Sequence, residues 1–170
     1  MLPEKEFLYK QATQKLLESI SKMKMTPDDK MLATHLTRVF RDAFQWPAIK
    51  QATLGPELQQ FGDVSRIFRY DSTGFCRASS MAFANIMNSG NNKPQDWQLR
   101  YIDELWTYGP HHFLYHKPSK VVFDLTFDQF SVDGVSQIPY DIGRIVPKGY
   151  KDDMMAHRFI EAIRATNPRI

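Results

Sequence analysis

The chain has little cysteine: Cys76 is the only one among 170 residues. One cysteine forms no disulfide within the chain and leaves no Cys-rich zinc framework, so we expect packing to hold the fold. No stretch reaches the roughly 18 uninterrupted apolar residues that a membrane span needs. Charged residues, among them Glu4 and Glu6, stand where a secretory signal would be apolar. We therefore expect a chain without a membrane span, either cytoplasmic or exported without a recognisable Sec signal.

Neither positive nor negative charge predominates in the chain. The 22 Lys and Arg residues against 19 Asp and Glu residues leave a net charge of +3, and the basic residues are scattered along the chain. A nucleic-acid-binding domain usually gathers its basic residues in one patch, so this pattern does not favour nucleic acid as a partner. At 42% hydrophobic and 13% aromatic residues the chain is neither disordered nor collagen-like. Its length predicts a single domain over 1–170.

Helical patterns occupy both ends of the chain. Residues 1–46 predict a helical N-terminal part, with one helix over 4–22. A second helix begins with Thr26 as N-cap and Pro27 at the first helical position. At the other end, apolar residues at helical spacing predict a C-terminal helix over 150–166.

A further helix and a group of strands lie between these ends. Cys76 opens a segment rich in small residues that Ser89 and Gly90 close, which is typical of a buried helix. Runs rich in aromatic and β-branched residues then predict antiparallel strands. These runs cover 97–106, 111–116, 121–126 and 142–146. The order of helices, then strands, then a helix favours an α+β fold.

Cys76, the pair of His111 and His112, and Asp124 are the residues that could carry chemistry. A helix N-terminus lowers the pKa of a thiol because its unpaired N–H groups favour negative charge. A nearby imidazole then acts as general base and later as general acid, while a carboxylate on its other nitrogen fixes the tautomer and the orientation. Each residue also has a purely structural interpretation, as a packing cysteine, as strand histidines, or as a carboxylate that binds backbone amides. The combination favours a nucleophilic site over these interpretations.

The parity of the predicted hairpin separates the two histidines. If residues 118–119 form a two-residue turn, Phe113 lies opposite Asp124. Side chains alternate along a strand, so His111, two residues before Phe113, lies on the same face as Phe113 and Asp124. His112 points to the other face. A three-residue turn would reverse this result by slipping the register one place. We therefore prefer His111 as the base and keep His112 as the alternative.

Three motifs resemble those of the transglutaminase-like and papain-like Cys-His-Asp enzymes. They are Gly74-Phe75-Cys76-Arg77-Ala78-Ser79, His111-His112-Phe113 and Phe123-Asp124-Leu125-Thr126-Phe127-Asp128-Gln129-Phe130. In that superfamily a cysteine opens a helix, a His-x-aromatic strand follows, and the next strand carries Asp-x-Thr, often continued by an Asp-Gln-Phe-like tail. The resemblance covers 72–130, the expected catalytic core. It implies a papain-like or transglutaminase-like core, in which the helix that bears the nucleophile packs on a small antiparallel sheet.

The resemblance also implies a role for each matched residue. Cys76 is the nucleophile, His111 the base and Asp124 the orienting acid, and the backbone N–H of Cys76 supplies one oxyanion donor. No oxyanion side chain is obvious upstream of the cysteine, since the nearest amides, Gln59 and Gln60, lie well before it. Such a site needs no metal and no other cofactor.

The superfamily includes peptidases, glutamine deamidases, transglutaminases and acyltransferases, and three residues do not separate them. We expect a cysteine-dependent hydrolase or acyl-transfer enzyme that acts on an amide of a protein or peptide. Glutamine deamidation is the reaction to test first. The alternatives are a cysteine peptidase, a transglutaminase-type acyltransferase, and a catalytically silent interaction module on the same scaffold.

Overall fold

The described residues have a mixed α+β architecture that combines helices with a four-stranded antiparallel sheet. A computed structural model describes residues 3–60, 71–90, 92–103, 105, 110–131, 137–147 and 153–166. Within these ranges no helix is both long and apolar enough to cross a membrane.

The helices lie before, within and after the group of strands. They are α1 (Pro3–Lys22), α2 (Pro27–Phe44), α3 (Pro47–Leu54), α4 (Cys76–Met87), the short α5 (Asp128–Ser131) and α6 (Met154–Thr166), with 3-10 helices at Gly55–Gln60 and Tyr140–Ile142. The predicted start of α2 is confirmed, because the Thr26 hydroxyl accepts a hydrogen bond from the backbone N–H of Asp29 at 3.2 Å. Pro47 then occupies the first turn of α3, where its missing N–H costs no hydrogen bond.

The sheet has the strand order β3-β2-β1-β4, and every neighbouring pair is antiparallel. Its strands are β1 (Trp97–Ile102), β2 (His111–His116), β3 (Val121–Phe123) and β4 (Arg144–Ile145). In the hairpin of β2 and β3, Leu114 pairs with Phe123 and His116 pairs with Val121. This is the register of a two-residue turn at 118–119, so that prediction is confirmed.

Three strands are shorter than the sequence predicts. β1 ends at Ile102 instead of continuing to 106, and residues 104 and 106 lie outside the described part of the chain. β3 ends at Phe123, because the carboxylate of Asp124 accepts the backbone N–H of Thr126 at 3.1 Å and turns the chain out of the sheet. β4 keeps only Arg144–Ile145, since a 3-10 helix precedes it.

The C-terminal helix also begins later than predicted. α6 starts at Met154, where the carboxylate of Asp153 accepts the backbone N–H of Ala156 at 3.1 Å and satisfies one donor of the first turn. The earlier part of the predicted segment, 150–152, lies outside the described residues.

Helix α4 runs alongside β2 in the same direction. Near its start, the Ser80 hydroxyl donates to the backbone carbonyl of His112 at 3.5 Å. Just after its end, the Asn88 side chain donates to the carbonyl of Trp97 at 2.8 Å and accepts its N–H at 3.2 Å, and Trp97 pairs with His116. The first residue of α4, Cys76, therefore lies at the beginning of β2.

A buried ion pair joins the N-terminal helices to the segment that follows β3. The guanidinium of Arg41 is bound to the carboxylate of Asp128 at 2.7 Å and also donates to the carbonyl of Leu125 at 3.0 Å. Its remaining N–H groups donate to the carbonyl of Tyr9 at 3.0 Å and to the hydroxyl of Thr13 at 2.9 Å. The Tyr9 hydroxyl donates back to the carbonyl of Arg41. A guanidinium that is only 1% exposed needs this full set of acceptors.

We expect Asp128→Ala to lower the free energy of unfolding by about 3–5 kcal/mol, because it leaves the charge of Arg41 buried without its counter-ion. Glu6→Ala is the matched control. It removes the exposed ion pair with Lys10, which spans 3.0 Å on the surface of α1, and such pairs contribute about 0.5 kcal/mol or less. Urea denaturation at pH 7 measures both changes. Equal small losses would show that the buried pair does not anchor this segment.

Candidate active site

Cys76 is the first residue of α4, and the residue as a whole is only partly buried. Gly74 precedes the helix with a φ of 87°, a backbone conformation that residues with a side chain rarely adopt. Phe75 is fully buried and stacks on the ring of Phe44 at 4.6 Å. Because the residue before the cysteine is locked into the core, the thiol is held in place with the unpaired N–H groups of the first turn beside it.

His111 and Asp124 form a buried pair next to the thiol. The Nε2 atom of His111 lies 2.6 Å from Oδ2 of Asp124, and neither side chain is more than 4% exposed. The Tyr140 hydroxyl donates to the same carboxylate oxygen at 2.7 Å. The other oxygen accepts the backbone N–H and the hydroxyl of Thr126 at 3.1 and 3.3 Å. Four donors therefore surround one carboxylate and hold it as an anion.

The segment after Asp124 supports this pair residue by residue. The Gln129 amide donates to the hydroxyl of Thr126 at 2.9 Å, and the edge of Phe130 meets the ring of His111 at 4.9 Å. Asp128 in the same segment binds the buried arginine of α2. The residues of the Asp-x-Thr and Asp-Gln-Phe motifs therefore fix the positions of the imidazole and its carboxylate.

Tyr140 is a residue of the site that sequence reasoning missed. It lies 16 positions after Asp124, in a 3-10 helix that no clear pattern announces. Its ring meets the edge of Phe113 at 4.8 Å. Gly143 makes this packing possible, because a Cβ atom there would stand only 2.5 Å from Cζ of Phe113. The only sequence signal is therefore a glycine whose neighbour in the fold is far away in the chain.

Both histidines approach Cys76. The register places His111 on the face of Asp124, as predicted, and His112 on the other face, where its ring stacks 6.0 Å from that of Tyr101. Cys76 lies at the beginning of β2, and both imidazoles interact with its thiol. Within the described part of the chain, the Nδ1 atoms of both histidines are buried and have no hydrogen-bond partner. The carboxylate, which binds only His111, is what distinguishes the two imidazoles.

The electrostatics of the site favour an ion pair of thiolate and imidazolium. Burial raises the pKa of Cys76, but its interactions with the neighbouring imidazoles of His111 and His112 outweigh this effect and bring the pKa to about 5. Burial alone would lower the pKa of His111, yet Asp124 and then Cys76 raise it to about 10. Burial also raises the pKa of Asp124, and the charge and hydrogen bond of His111 hold it below its usual value. The thiol is therefore ionised at neutral pH.

Comparisons with protein-family models, with curated proteins and with solved structures find no match to this chain. The likeness to the transglutaminase-like and papain-like enzymes thus rests on the three motifs. Of the oxyanion candidates, the side chains of Gln59 and Gln60 lie outside what the structure describes.

The reaction of Cys76 with iodoacetamide reports its ionisation directly, because the chain has one thiol. We expect the rate to stay high from neutral pH down to about pH 5, and to fall below it as the thiolate is protonated. Asp124→Asn removes the charge that keeps His111 protonated, so the midpoint of this fall should move up by about one pH unit or more. Alkylation quenched after fixed times at each pH, followed by measurement of the intact mass, gives the dependence of the rate on pH.

Asp153→Asn is the matched control for this profile. Asp153 binds the guanidinium of Arg77, the residue next to the thiol, at 3.0 Å, but it does not touch His111. Its loss should leave the midpoint where it is. A wild-type midpoint near the value of an ordinary thiol, about 8.5, would contradict the ion pair.

Tyr140→Phe removes one donor from Asp124, and a hydrogen bond to a charged group is worth about 1.5–3 kcal/mol. A carboxyl with a lowered pKa stabilises the fold above its unfolded pKa, and this stabilisation is lost as pH falls through the folded pKa. With one donor fewer, the folded pKa of Asp124 rises, so acid unfolding should begin at a higher pH. Circular dichroism along an acid titration measures the shift.

Tyr115→Phe serves as the control for this titration. The guanidinium of Arg100 lies 3.9 Å from the centre of the Tyr115 ring, and the Tyr115 hydroxyl forms no hydrogen bond with the residues that the structure describes. Its acid transition should match that of the wild type. Coincident transitions for both variants and the wild type would show that the hydroxyl of Tyr140 does not support the carboxylate.

Proposed function

We propose that this protein is a cysteine-dependent hydrolase or acyl-transfer enzyme acting on an amide of a protein or peptide, with glutamine deamidation as the first reaction to test. One observation carries the proposal: the buried imidazole of His111 binds Asp124 through Nε2 and leaves Nδ1 unpaired beside the thiol of Cys76. This is the order of groups that a nucleophile, its base and an orienting acid require.

The cost of the arrangement supports a catalytic role. A buried ion pair is weak as a source of stability, because desolvation offsets much of the attraction between the charges. Packing alone would be better served by apolar side chains at 111 and 124. The free energy spent here is explained if the polar groups meet a substrate.

The first half of the reaction forms an acyl-enzyme. The thiolate of Cys76 attacks the amide carbonyl carbon, so a carbon–sulfur bond forms and the π-electron pair moves onto oxygen. Backbone N–H groups at the start of α4 stabilise that oxyanion. When it collapses, the carbon–nitrogen bond breaks and His111 gives its Nδ1 proton to the leaving nitrogen. Ammonia leaves a glutamine side chain, an amine leaves a peptide bond, and a thioester remains.

The second half depends on what attacks the thioester. Water gives up a proton to His111, its oxygen bonds to the carbonyl carbon, and the carbon–sulfur bond breaks to return the thiolate and a carboxyl group. An amine in place of water makes the enzyme a transferase. Throughout, Asp124 stays ionised and holds the imidazole in the required orientation, because four donors already occupy its oxygens.

The scaffold supports a papain-like or transglutaminase-like core. A helix that begins at the cysteine packs on a small antiparallel sheet, and the histidine and aspartate belong to neighbouring strands or their ends. Asp124 departs from that pattern slightly, since it follows β3 instead of lying in it. The alternatives are a cysteine peptidase, a transglutaminase-type acyltransferase, or a silent interaction module on the same scaffold.

A panel of glutamine-containing peptides and proteins tests the proposal. Incubation with the wild type should produce either a gain of ~1 Da per deamidated glutamine or cleaved peptides, both visible by mass spectrometry, because both pass through the same acyl-enzyme. Cys76→Ala should abolish the reaction. His111→Ala should slow it by about 10²-fold or more, since it removes the general base.

The exposed His157 of α6 provides the control for the histidine change, and His157→Ala should keep full activity. A small activated ester gives a substrate-independent test, since it should acylate Cys76 and add the mass of the acyl group until water hydrolyses the thioester. If the thiol reacts no faster than a free thiol, and His111→Ala changes nothing, the enzyme hypothesis is wrong and the silent module takes its place.

A further inference from the structure

One polar atom of the site has no role in the proposed reaction. The Nδ1 atom of His112 is buried and, among the residues that the structure describes, has no hydrogen-bond partner. The imidazole of His112 also interacts with the thiol of Cys76, whose pKa it lowers together with His111. A buried nitrogen that lacks a partner in the free protein, at a site built to receive a substrate, points to a group that the substrate brings.

The imidazole of His112 is held firmly enough to act as a fixed donor. Across the sheet it pairs with Tyr101, and the two rings stack at an angle of 24°. On the helix side, the hydroxyl of Ser80 donates to the carbonyl of His112. Backbone and ring are thus both fixed, and a donor fixed before the reaction needs little reorganisation during it.

The two histidines have different neighbours, which suit them to different roles. His111 has a carboxylate on Nε2, which keeps a proton on the ring and suits a residue that takes and gives protons. No carboxylate within the described part of the chain binds His112. A ring of this kind donates from Nδ1 in the matching neutral tautomer or as imidazolium, so it can donate a hydrogen bond without transferring its proton.

We propose that His112 is a catalytic residue whose Nδ1–H donates to the oxyanion of the tetrahedral intermediate, beside the backbone N–H of Cys76. The inference rests on the proposed function. In the free enzyme the imidazole of His112 interacts with the thiolate. When the carbon–sulfur bond forms, the negative charge leaves sulfur and a new one appears on the adjacent carbonyl oxygen. The same donor then serves the new anion, which is the side-chain oxyanion contact that sequence reasoning did not find.

Two reactions of Cys76 separate this role from the alternatives. Alkylation by iodoacetamide needs the thiolate but forms no oxyanion, whereas acylation by an activated ester or amide needs both. At pH 8, His112→Ala should lower the acylation rate by about 10²–10³-fold, the effect of losing one oxyanion donor. The alkylation rate should change by less than about threefold, because the imidazolium of His111, which Asp124 keeps protonated, still stabilises the thiolate in this variant.

His112→Asn is the rescue variant, because the amide of asparagine places an N–H near the position of Nδ1. It should recover at least about tenfold of the lost acylation rate, whereas an alanine cannot donate. His111→Ala, in contrast, should lower alkylation and acylation together. Circular dichroism of each variant confirms that it has folded.

The outcomes decide between the roles. If His112→Ala slows both reactions equally, the residue only holds the thiolate and the inference is wrong. Unchanged rates in both reactions also overturn it, and so does a failure of His112→Asn to recover acylation in a folded protein. If the wild type is alkylated rapidly but is not acylated by any probe, the proposed function itself fails, and this inference fails with it.

Discussion

The buried guanidinium of Arg41 is the group on which the arrangement of the molecule depends. It joins α1 and α2 to the segment after β3 through Tyr9, Leu125 and Asp128. That segment begins with Asp124, so the ion pair fixes the place where the carboxylate of the site stands. An arginine buried without its acceptors would carry an uncompensated charge, which makes this contact all-or-none. The N-terminal helices are therefore part of what holds the site.

A series of contacts connects this ion pair to the thiol. Thr126 and Tyr140 fix the carboxylate of Asp124, which fixes the imidazole of His111, whose free nitrogen faces Cys76. Each step is a short contact between buried groups, where the low dielectric strengthens every hydrogen bond and penalises every missing one. The thiolate gains its stability at the end of this chain of contacts and from the start of α4. Reactivity at one atom thus reflects packing across most of the fold.

Much of this was predictable because its causes are local. The cap at Thr26 and the small-residue helix after Cys76 were predictable from neighbouring residues. The alternation of side chains in a hairpin put His111 on the face of Asp124, and the observed register has the same parity. Strand ends were predicted less well. β3 stops at Phe123 because a side chain takes the backbone N–H that the sheet would have used, and composition does not show that competition.

The sequence by itself determined the helices at both ends, the helix that begins at Cys76, the order of the strands, and the three residues that could form a nucleophilic site, but not the short helices α3 and α5. Only the tertiary structure decided which partners those residues have. Tyr140 reaches the carboxylate because Gly143 lets its segment lie against Phe113, and His112 joins the site because α4 begins where β2 begins. Contacts of this kind depend on where whole elements are placed. Side-chain periodicity reports one element at a time, whereas packing brings distant elements to the same point.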